Sequence, residues 1–499
     1  MSVLSYATVS RPPASGSALS TPPPALPRVL GLWDVVLFLV TAGVNFQWVA
    51  TAAAAGPGVL AVWLIGLVAM SLPLACCVID LASRFPEEGG LYLWTKRAFG
   101  GFAGFILGWT YWMSNLPYFP GLLYFAAGSA LFVAGDRWRA WSASPAWFIG
   151  FSVLALALGT WMNLVGLKVG RWLSNAGAYA RWAGAAALVG AGAVAFARHG
   201  SATVLDRAAL TPSLALKDVI FWSTIAFALT GLESASFMGD EIKDPRRTIP
   251  RALFVAVPIV VVIYILGTMA LLVALPVGEV SGLQGIVEAG AAMERRLGAP
   301  GLTSGLAVML VISSLGSLGA WLGAVARIPF VAGIDRYLPP AFARLHPRWG
   351  TPHVSLLTQA AVTVVFIVLG QAGTTVKGAY EVLVSLMVLI YMIPFLFLFG
   401  AAIRLQFASP GPPGFFRFPG SRGVLAALGL VGLCTTLAAI VLSLFPAADE
   451  PNKPLAVLKV VGLTALMVGS GVVVFLLRTR RLEGTGEGGG SGGGVVVGT

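Results

Sequence analysis

The sequence predicts an all-α integral membrane protein, and three observations lead to this fold class. Of the 499 residues, 57% are hydrophobic and only 10% are charged, against roughly 25% charged residues in soluble domains. Several apolar runs, such as residues 59–79 and 457–477, are long enough to cross a bilayer as helices. The runs lack the ten-residue alternating strands of a membrane barrel, so we expect every span to be a helix.

The chain should begin and end with flexible tails that flank twelve transmembrane helices. Residues 1–27 are rich in Ser, Pro and Ala and predict a disordered N-terminal tail, while the Gly-rich residues 482–499 predict a flexible C-terminal tail. Between the tails, we expect spans at residues 31–54, 57–83, 101–134, 145–164, 168–197, 217–238, 250–275, 302–334, 353–371, 378–404, 423–446 and 455–478.

The net charge of +12 is read as a topology signal, because the basic residues form short groups between the spans. Placing both termini in the cytoplasm leaves more Lys and Arg in cytoplasmic loops than outside, which favours this orientation in the cell membrane. We therefore expect contact with membrane lipid and none with nucleic acid. Cys76, Cys77 and Cys434 have neither metal-ligand spacing nor a disulfide pattern.

The first and sixth spans are interrupted near their centres by polar and small residues. Residues 39–47 read Leu-Val-Thr-Ala-Gly-Val-Asn-Phe-Gln, and residues 227–233 read Phe-Ala-Leu-Thr-Gly-Leu-Glu. Unwound backbone is tolerated at that depth only where it lines a cavity, so such a pair indicates a transporter's binding site. The freed amides suit a carboxylate group. The substrate-binding candidates here are Thr41, Ala42, Gly43, Val44, Asn45, Phe227, Ala228, Thr230 and Gly231.

Glu233 places a carboxylate inside an apolar run, where it is costly and usually functional. It follows Asp218, where that run begins, by fifteen residues, or about 22 Å of helix, near the middle of a bilayer of roughly 30 Å. Two interpretations stay open. Glu233 either hydrogen-bonds the loose backbone of the broken helix or carries a proton as its cavity faces either side.

Arg181 is the second candidate for coupling. It follows Leu167 by fourteen residues, about 21 Å of helix, which is too deep for easy snorkelling. It either takes part in coupling or holds helices together through carbonyl groups. An ionised Arg does not carry protons as a Lys can, and a fixed internal cation argues against sodium coupling. A charge pair with Glu233 stays open.

Three motifs resemble the amino acid/polyamine/organocation transporter superfamily. Phe-x-x-x-Gly-Leu-Glu at residues 227–233, with Gly-Asp-Glu-Ile-Lys-Asp-Pro-Arg-Arg-Thr-Ile-Pro-Arg-Ala at 239–252, is similar to the sixth span and following loop of that family. Residues 85–100 are similar to its loop between spans 2 and 3. Leu-Gly-Ser-Leu-Gly-Ala-Trp at 315–321, with Asp-Arg-Tyr-Leu-Pro-Pro at 335–340, resembles the arginine/agmatine antiporter group.

The resemblance implies an architecture and an activity. The architecture is a five-plus-five inverted repeat with broken helices 1 and 6, the first repeat at residues 28–200, the second at 201–408, and two appended spans within 409–481. The activity is secondary transport of amino acids by alternating access, coupled to protons or working by exchange. Glu233 matches a coupling residue of the family, and Arg181 matches a position where some members carry a Lys in place of sodium.

The first break departs from the family pattern. Members usually carry Gly-Ser/Ala-Gly there, with backbone amides that hold the substrate carboxylate, whereas this chain has Thr41-Ala42-Gly43. A substrate without a carboxylate, such as a polyamine or another organic cation, therefore stays open as the alternative.

Tyrosine, asparagine and tryptophan side chains in other spans are candidates for a pocket wall around an organic cation or an apolar side chain. The candidates are Tyr111 and Asn115 in span 3 and Trp321 in span 8, with packing or lipid contact as the ordinary alternative. Asp34 and Asp80 are expected to cap helices or form salt bridges at span ends.

Catalytic motifs are absent from the sequence. It has no phosphate-binding loop and no His-Glu-x-x-His. We therefore expect no enzyme activity, cofactor or metal, and a small amino acid or amine as substrate. A non-transporting nutrient sensor on the same fold is the alternative class.

Overall fold

The computed structural model describes residues 30–85, 90–238, 242–327, 338–408, 421–446 and 450–484. Within these ranges the regular elements are helices, apart from one isolated bridge between Leu30 and Ile242. The predicted all-α class is therefore confirmed for the described part of the chain. The predicted N-terminal tail, most of the C-terminal tail, and residues 86–89, 239–241 and 335–337 of the three motifs lie outside the described residues.

Sixteen α-helices follow one another in the described ranges. The first eight are α1 Leu32–Gly43, α2 Phe46–Ala53, α3 Val59–Gly66, α4 Leu72–Arg84, α5 Gly90–Phe99, α6 Gly101–Ala130, α7 Pro145–Val165 and α8 Leu167–His199. The others are α9 Leu216–Ala228, α10 Pro245–Ala274, α11 Gly285–Leu297, α12 Leu302–Val325, α13 His353–Gln371, α14 Val376–Ala408, α15 Arg422–Leu442 and α16 Lys453–Gly484. A π-helical turn, Leu67–Ser71, joins α3 to α4.

The long helices make this a multi-pass membrane protein. In the described ranges, ten helical segments are long and apolar enough to cross a membrane, and the bent pair α1 and α2 makes eleven. Helix α6, which lies where the third span is predicted, is not among these ten segments. It has 30 residues and at 1.5 Å per residue is about 45 Å long. The count of twelve spans and the inverted repeat stay predictions.

The span boundaries agree closely with the apolar runs, but two helices were not predicted. The span predicted at 57–83 is found at Val59–Arg84, and the one at 353–371 at His353–Gln371. Helices α5 and α11 escaped prediction because they are short and amphipathic, with basic residues in their last turns, whereas a span is recognised by a long continuous apolar run.

Helices α8 and α12 touch backbone to backbone at Gly177 and Gly316. A Cβ placed on Gly177 would lie 2.6 Å from the Cα of Gly316, and one on Gly316 would lie 2.5 Å from the Cα of Gly177. Glycine on both helices is what permits this approach, as in other membrane helix pairs. The contact lies one turn before Arg181 on α8 and next to Ser317 on α12, so it brings these two side chains together.

Asp34 and Asp80 have the ordinary roles expected at helix ends. The carboxylate of Asp34 accepts from the Gly31 amide at 2.9 Å, ahead of the first turn of α1. The carboxylate of Asp80 lies 3.1 Å from Nε of Arg84 and accepts from Nε2 of Gln406 on α14 at 2.5 Å. Asp80 is thus part of a buried polar link between α4 and α14.

Candidate functional site

The first break lies between α1 and α2, whose axes differ in direction by 45°. Val44 and Asn45 are extended between the two helices. Thr41, Ala42 and Gly43, which the sequence placed at the break itself, form the last turn of α1, so helical hydrogen bonding uses their amides. The interruption predicted in the first span is therefore present, and it begins directly after Gly43.

Side chains from distant helices satisfy the backbone that the first break frees. In a continuous helix the Thr41 carbonyl would accept from the Asn45 amide. Instead, Nη1 of Arg181 on α8 donates to the Thr41 carbonyl at 2.5 Å. The hydroxyl of Tyr264 on α10 donates to the Gly43 carbonyl at 2.6 Å and accepts from the Asn45 amide at 3.1 Å.

Arg181 also binds α12 through two serine hydroxyls. Its Nε donates to Oγ of Ser313 at 3.2 Å, and its Nη2 donates to Oγ of Ser317. The side chain is buried and joins α1, α8 and α12. The bond to the Thr41 carbonyl is the kind of contact expected if Arg181 holds helices together.

The second break follows α9, and its own residues satisfy most of its backbone. The hydroxyl of Thr230 donates to the Phe227 carbonyl at 2.6 Å. The Gly231 carbonyl accepts from the Ser234 hydroxyl at 2.5 Å and from its amide at 3.2 Å. Gly231 has φ of +93°, a conformation in which glycine is strongly preferred. After the predicted interruption, a 3₁₀ segment, Leu232–Met238, continues the span.

Glu233 is fully buried and links the second break to two other helices. Its Oε2 accepts from the Gly231 amide at 2.9 Å. Its Oε1 accepts from the Tyr391 hydroxyl on α14 at 2.9 Å and from the Tyr111 hydroxyl on α6 at 3.4 Å. Glu233 therefore hydrogen-bonds loose backbone, as one interpretation expected. In the described part of the chain, Glu233 and Arg181 bind separate partners rather than each other.

The two breaks face each other. A Cβ placed on Gly231 would lie 3.9 Å from the Ala42 carbonyl oxygen. Phe227, just before the second break, makes edge-to-face contacts with Trp48 of α2 at 5.1 Å and with Tyr391 at 4.9 Å. Tyr391 is in turn 5.5 Å from the Tyr111 ring. Aromatic side chains from four helices thus surround the place where the breaks meet.

Three other candidates have packing or helix-internal contacts. Nδ2 of Asn115 donates to the Tyr111 carbonyl in the same helix at 2.7 Å. Trp321 packs, partly exposed, beside an apolar cluster that includes Trp109 and Trp112. Ala228 is the buried last residue of α9.

Tyr264 and Tyr391 were not recognised from the sequence. Each is a tyrosine inside a long apolar run, and a buried tyrosine hydroxyl usually needs a hydrogen-bond partner. That was the available signal. In the described ranges, no group of three or more His, Cys, Asp or Glu could hold a metal ion.

A bundle of membrane-spanning helices with two broken helices facing each other defines the class of a membrane transporter. Comparison with known sequences then places the chain within that class. It belongs to the amino acid permease family, which it matches over residues 30–466.

Named relatives agree with this assignment. The chain is 25% identical over 428 residues to an uncharacterized transporter of Legionella pneumophila, covering 85% of this chain and 91% of the relative. It is 24% identical over 429 residues to a probable agmatine/putrescine antiporter of Lactococcus lactis, covering 83% and 88%. It is 26% identical over 347 residues to Asc-type amino acid transporter 1 of Mus musculus, covering 64% and 59%. The predicted superfamily is confirmed, and the relatives are transporters rather than enzymes.

Proposed function

We propose that this permease is a secondary active transporter that moves an amino acid or a related amine by alternating access. The observation that carries the proposal is the approach of the two breaks, because a Cβ placed on Gly231 would lie in van der Waals contact with the Ala42 carbonyl oxygen, 3.9 Å away. Two interrupted helices then offer their unwound segments to one shared place inside the bundle. The rest of the bundle acts as a scaffold against which spans 1 and 6 rock.

An amino acid is the first candidate substrate, and an amine without a carboxylate is the second. One observation favours the second candidate, namely how the backbone amides at the breaks are used. The Asn45 amide donates to Tyr264 and the Gly231 amide donates to Glu233, so both amides already have acceptors. Helices α1 and α9 both end at the gap, where helix C-terminal ends attract cations, and α2 begins there. Among the relatives, one is named for agmatine and putrescine and another for amino acids, which supports keeping both.

Glu233 is the proposed proton-coupling residue. Its carboxylate binds the Gly231 amide and the hydroxyls of Tyr111 and Tyr391 together. Hydrogen bonds to an ionised group are roughly twice as strong as neutral ones. Protonation of Glu233 would therefore weaken, at the same time, the hydrogen bonds that connect the second break to α6 and α14. Arg181 is the fixed cation of the site, and transport proceeds without sodium.

The proposed orientation places both termini in the cytoplasm of the cell. The excess of Lys and Arg in the loops assigned to that side supports it. Accessibility of single cysteines introduced into the loops, measured with a membrane-impermeant thiol reagent in intact cells, tests the orientation directly. Labelling of a loop assigned to the cytoplasm would contradict it.

The substrate class is tested with matched pairs in proteoliposomes. Uptake of labelled arginine and agmatine, and of ornithine and putrescine, compares each amino acid with its decarboxylated amine. We expect saturable uptake of at least one member, driven by an imposed pH difference or by counter-substrate inside. Stabilisation by a compound without any flux of it would favour the sensor alternative, since binding alone raises thermal stability.

The coupling role is tested with Glu233→Gln, and Glu294→Gln serves as the matched control. Glu294 lies outside the breaks and accepts from the Gly301 and Thr303 amides. We expect Glu233→Gln to lose the pH dependence of uptake while the control keeps it. Unchanged pH dependence in Glu233→Gln would show that this carboxylate does not couple transport to protons.

A further inference from the structure

The turn between α5 and α6 packs against α14 and α16 near the C-terminal ends of both helices. The ring of Phe99, at the end of α5, lies 6.5 Å from the Phe397 ring, and a Cβ placed on Gly400 would lie 3.2 Å from Cζ of Phe99. The ring of Phe102, in the first turn of α6, lies edge to face on Phe475 of α16 at 5.0 Å. We call the surface formed by Phe99, Phe102 and the neighbouring ends of α14 and α16 the rim.

Phenylalanine rings of the rim are exposed although they are large and apolar. Phe99 is 40% exposed, Phe102 is 47% exposed, and Phe407, in the last turn of α14, is 65% exposed. The amphipathic helix α5 leads directly into this surface. Exposed aromatic side chains beside such a helix are typical of the boundary between lipid headgroups and acyl chains. We therefore expect the rim to contact lipid.

Arginine side chains lie beside these rings. The Cζ atom of Arg404 on α14 lies over the ring of Phe99, 5.5 Å from its centroid. Arg478 follows Phe475 by three residues, so both side chains lie on one face of α16. A guanidinium above an aromatic ring keeps its in-plane N–H groups available to bind an anion. The rim thus combines apolar rings with donors for a negatively charged group.

Neither arginine has a carboxylate partner within the part of the chain that the structure describes. Nε of Arg478 is buried, and no described residue accepts a hydrogen bond from it. Leaving a buried donor of a charged group without an acceptor is costly. Arg84, at the same end of the bundle, differs because it pairs with Asp80 at 3.1 Å and donates to the Leu405 carbonyl at 3.0 Å. Arg404 and Arg478 are therefore placed to bind an anion that the described chain does not supply.

The position of the two arginines favours a lipid over a soluble anion. The spans that carry them are Val376–Ala408 and Lys453–Thr479. Arg404 and Arg478 both lie in the last two turns of these spans, at the depth of the headgroup phosphates, where basic side chains attract anionic lipids. A lipid also brings acyl chains that cover the exposed phenylalanine rings, whereas a free phosphate would leave the rings bare.

We propose that the rim is a binding site for an anionic phospholipid. Arg404 and Arg478 donate to its phosphate groups, and Phe99 and Phe102 contact its acyl chains. The site adds a lipid partner to the transporter and does not depend on which substrate is moved. Because the lipid contacts α14, α16 and the turn between α5 and α6 only in the folded protein, its binding stabilises the fold.

The test offers the full-length protein an equimolar mixture of phosphatidylglycerol and phosphatidylcholine with the same acyl chains. Native mass spectrometry measures the ratio of the two lipids bound to wild type, Arg404→Gln, Arg478→Gln and the double variant. The matched control combines Lys243→Gln with Arg251→Gln, which removes two exposed cations at the same end of the bundle. We expect wild type to prefer phosphatidylglycerol. The preference should fall about fivefold in each single variant and about twenty-five-fold in the double variant, while the control keeps it.

Two further measurements separate the parts of the site. Phe102→Ala should weaken the binding of both lipids and leave their ratio unchanged, because the acyl chains of the two lipids are the same. Inorganic phosphate is then added to wild type, with chloride of the same ionic strength as its control. We expect the bound phosphatidylglycerol to remain, since a soluble phosphate lacks the acyl chains.

The lipid site would be overturned by wild type without a preference, by arginine variants that keep the full preference, or by an equal loss in the control. Wild-type binding of both lipids in Phe102→Ala would remove the rings from the site. Displacement by inorganic phosphate would assign the two arginines to a soluble anion instead. The single variants decide the test if the double variant does not fold.

Discussion

The two breaks satisfy their freed backbone hydrogen-bonding groups in opposite ways. At the first break, the freed groups of Thr41, Gly43 and Asn45 are bound by side chains from α8 and α10. At the second break, Thr230 and Ser234 bind backbone within three residues of themselves. The first break is therefore shaped by packing between helices, whereas most hydrogen bonds of the second break lie within its own segment. The difference predicts that the second break keeps its shape while it moves.

Glu233 and Ser71 are the exceptions to this separation. The Ser71 hydroxyl donates to the Leu229 carbonyl at a long 3.4 Å. Glu233 holds the Gly231 amide and also reaches the tyrosines of α6 and α14. These bonds tie a self-contained segment to the rest of the bundle. A signal that acts on Glu233 would release the second break without disturbing the first.

The largest effect is expected from Arg181→Met, which removes the donors to Thr41, Ser313 and Ser317. Hydrogen bonds to charged groups contribute roughly 1.5–3 kcal/mol each. Because the cost of burying the charge offsets part of their sum, we expect stability to fall by about 3 kcal/mol and most uptake to be lost. Arg181→Lys should retain part of both, since lysine is a single point of charge. Wild-type uptake in Arg181→Met, at equal expression, would show that the first break does not depend on α8.

Gly231→Ala and Gly43→Ala should destabilise the protein for different physical reasons. At Gly231 the φ of +93° penalises any L-residue, by roughly 1–2 kcal/mol. At Gly43 the backbone is helical, and the new methyl group would press on Val260 at 3.2 Å. We expect the larger loss of thermal stability in Gly231→Ala, and rescue by Val260→Ala only in Gly43→Ala. Rescue of both glycine variants would contradict the difference between the breaks.

Tyr391→Phe and Tyr111→Phe test the hydrogen bonds that connect Glu233, at the second break, to α14 and α6. The Tyr391 hydroxyl lies 2.9 Å from Oε1 of Glu233 and the Tyr111 hydroxyl 3.4 Å. Because hydrogen bonds weaken with distance, we expect a loss of about 1 kcal/mol for Tyr391→Phe and a smaller loss for Tyr111→Phe. Denaturation midpoints in the same lipid measure both. The reverse order would mean that the shorter contact is not the stronger tie.

The smallest effect is expected from Glu294, which lies outside the spans and is the control carboxylate in the pH experiments. Hydrogen bonds from Thr303 and Gly301 lower the pKa of Glu294 below its usual value. Its contribution to stability is therefore present above the unfolded-state pKa and is lost as the pH falls through the lower, folded-state pKa. We expect a slightly smaller acid-induced fall of the melting temperature in Glu294→Gln. An identical fall of the melting temperature in wild type and in Glu294→Gln would show that Glu294 does not contribute to the acid-induced loss of stability.

Most of the spans could be predicted because hydropathy is a local property of the chain. The apolar runs gave boundaries within a few residues of the span formed by α3 and α4, Val59–Arg84, and of helix α13, and the polar interruptions predicted both breaks. Glu233 and Arg181 stood out because a charge in an apolar run is rare. Helices α5 and α11 were missed because they are amphipathic and short.

The partners of the breaks could not be predicted, because they come from far along the chain. Tyr264 is 219 residues from Asn45, and Tyr391 is 158 residues from Glu233. The sequence shows that these tyrosines lie in apolar runs, but not which face of the helix each occupies. That depends on how the helices rotate and pack. Likewise, the position of Trp321 beside Trp109 depends on helix packing rather than on its motif.

The glycine contact between α8 and α12 has a practical consequence for distance measurements. Helices that touch through Gly177 and Gly316 leave no room to slide or separate without losing that contact. Spin labels or fluorophores at the His199 end of α8 and the Leu302 end of α12 should therefore report a constant distance through the transport cycle. The pair can serve as an internal reference, against which a label on α1 or on the 3₁₀ segment registers real displacement. A change in the reference distance when substrate is added would show that this frame is not rigid.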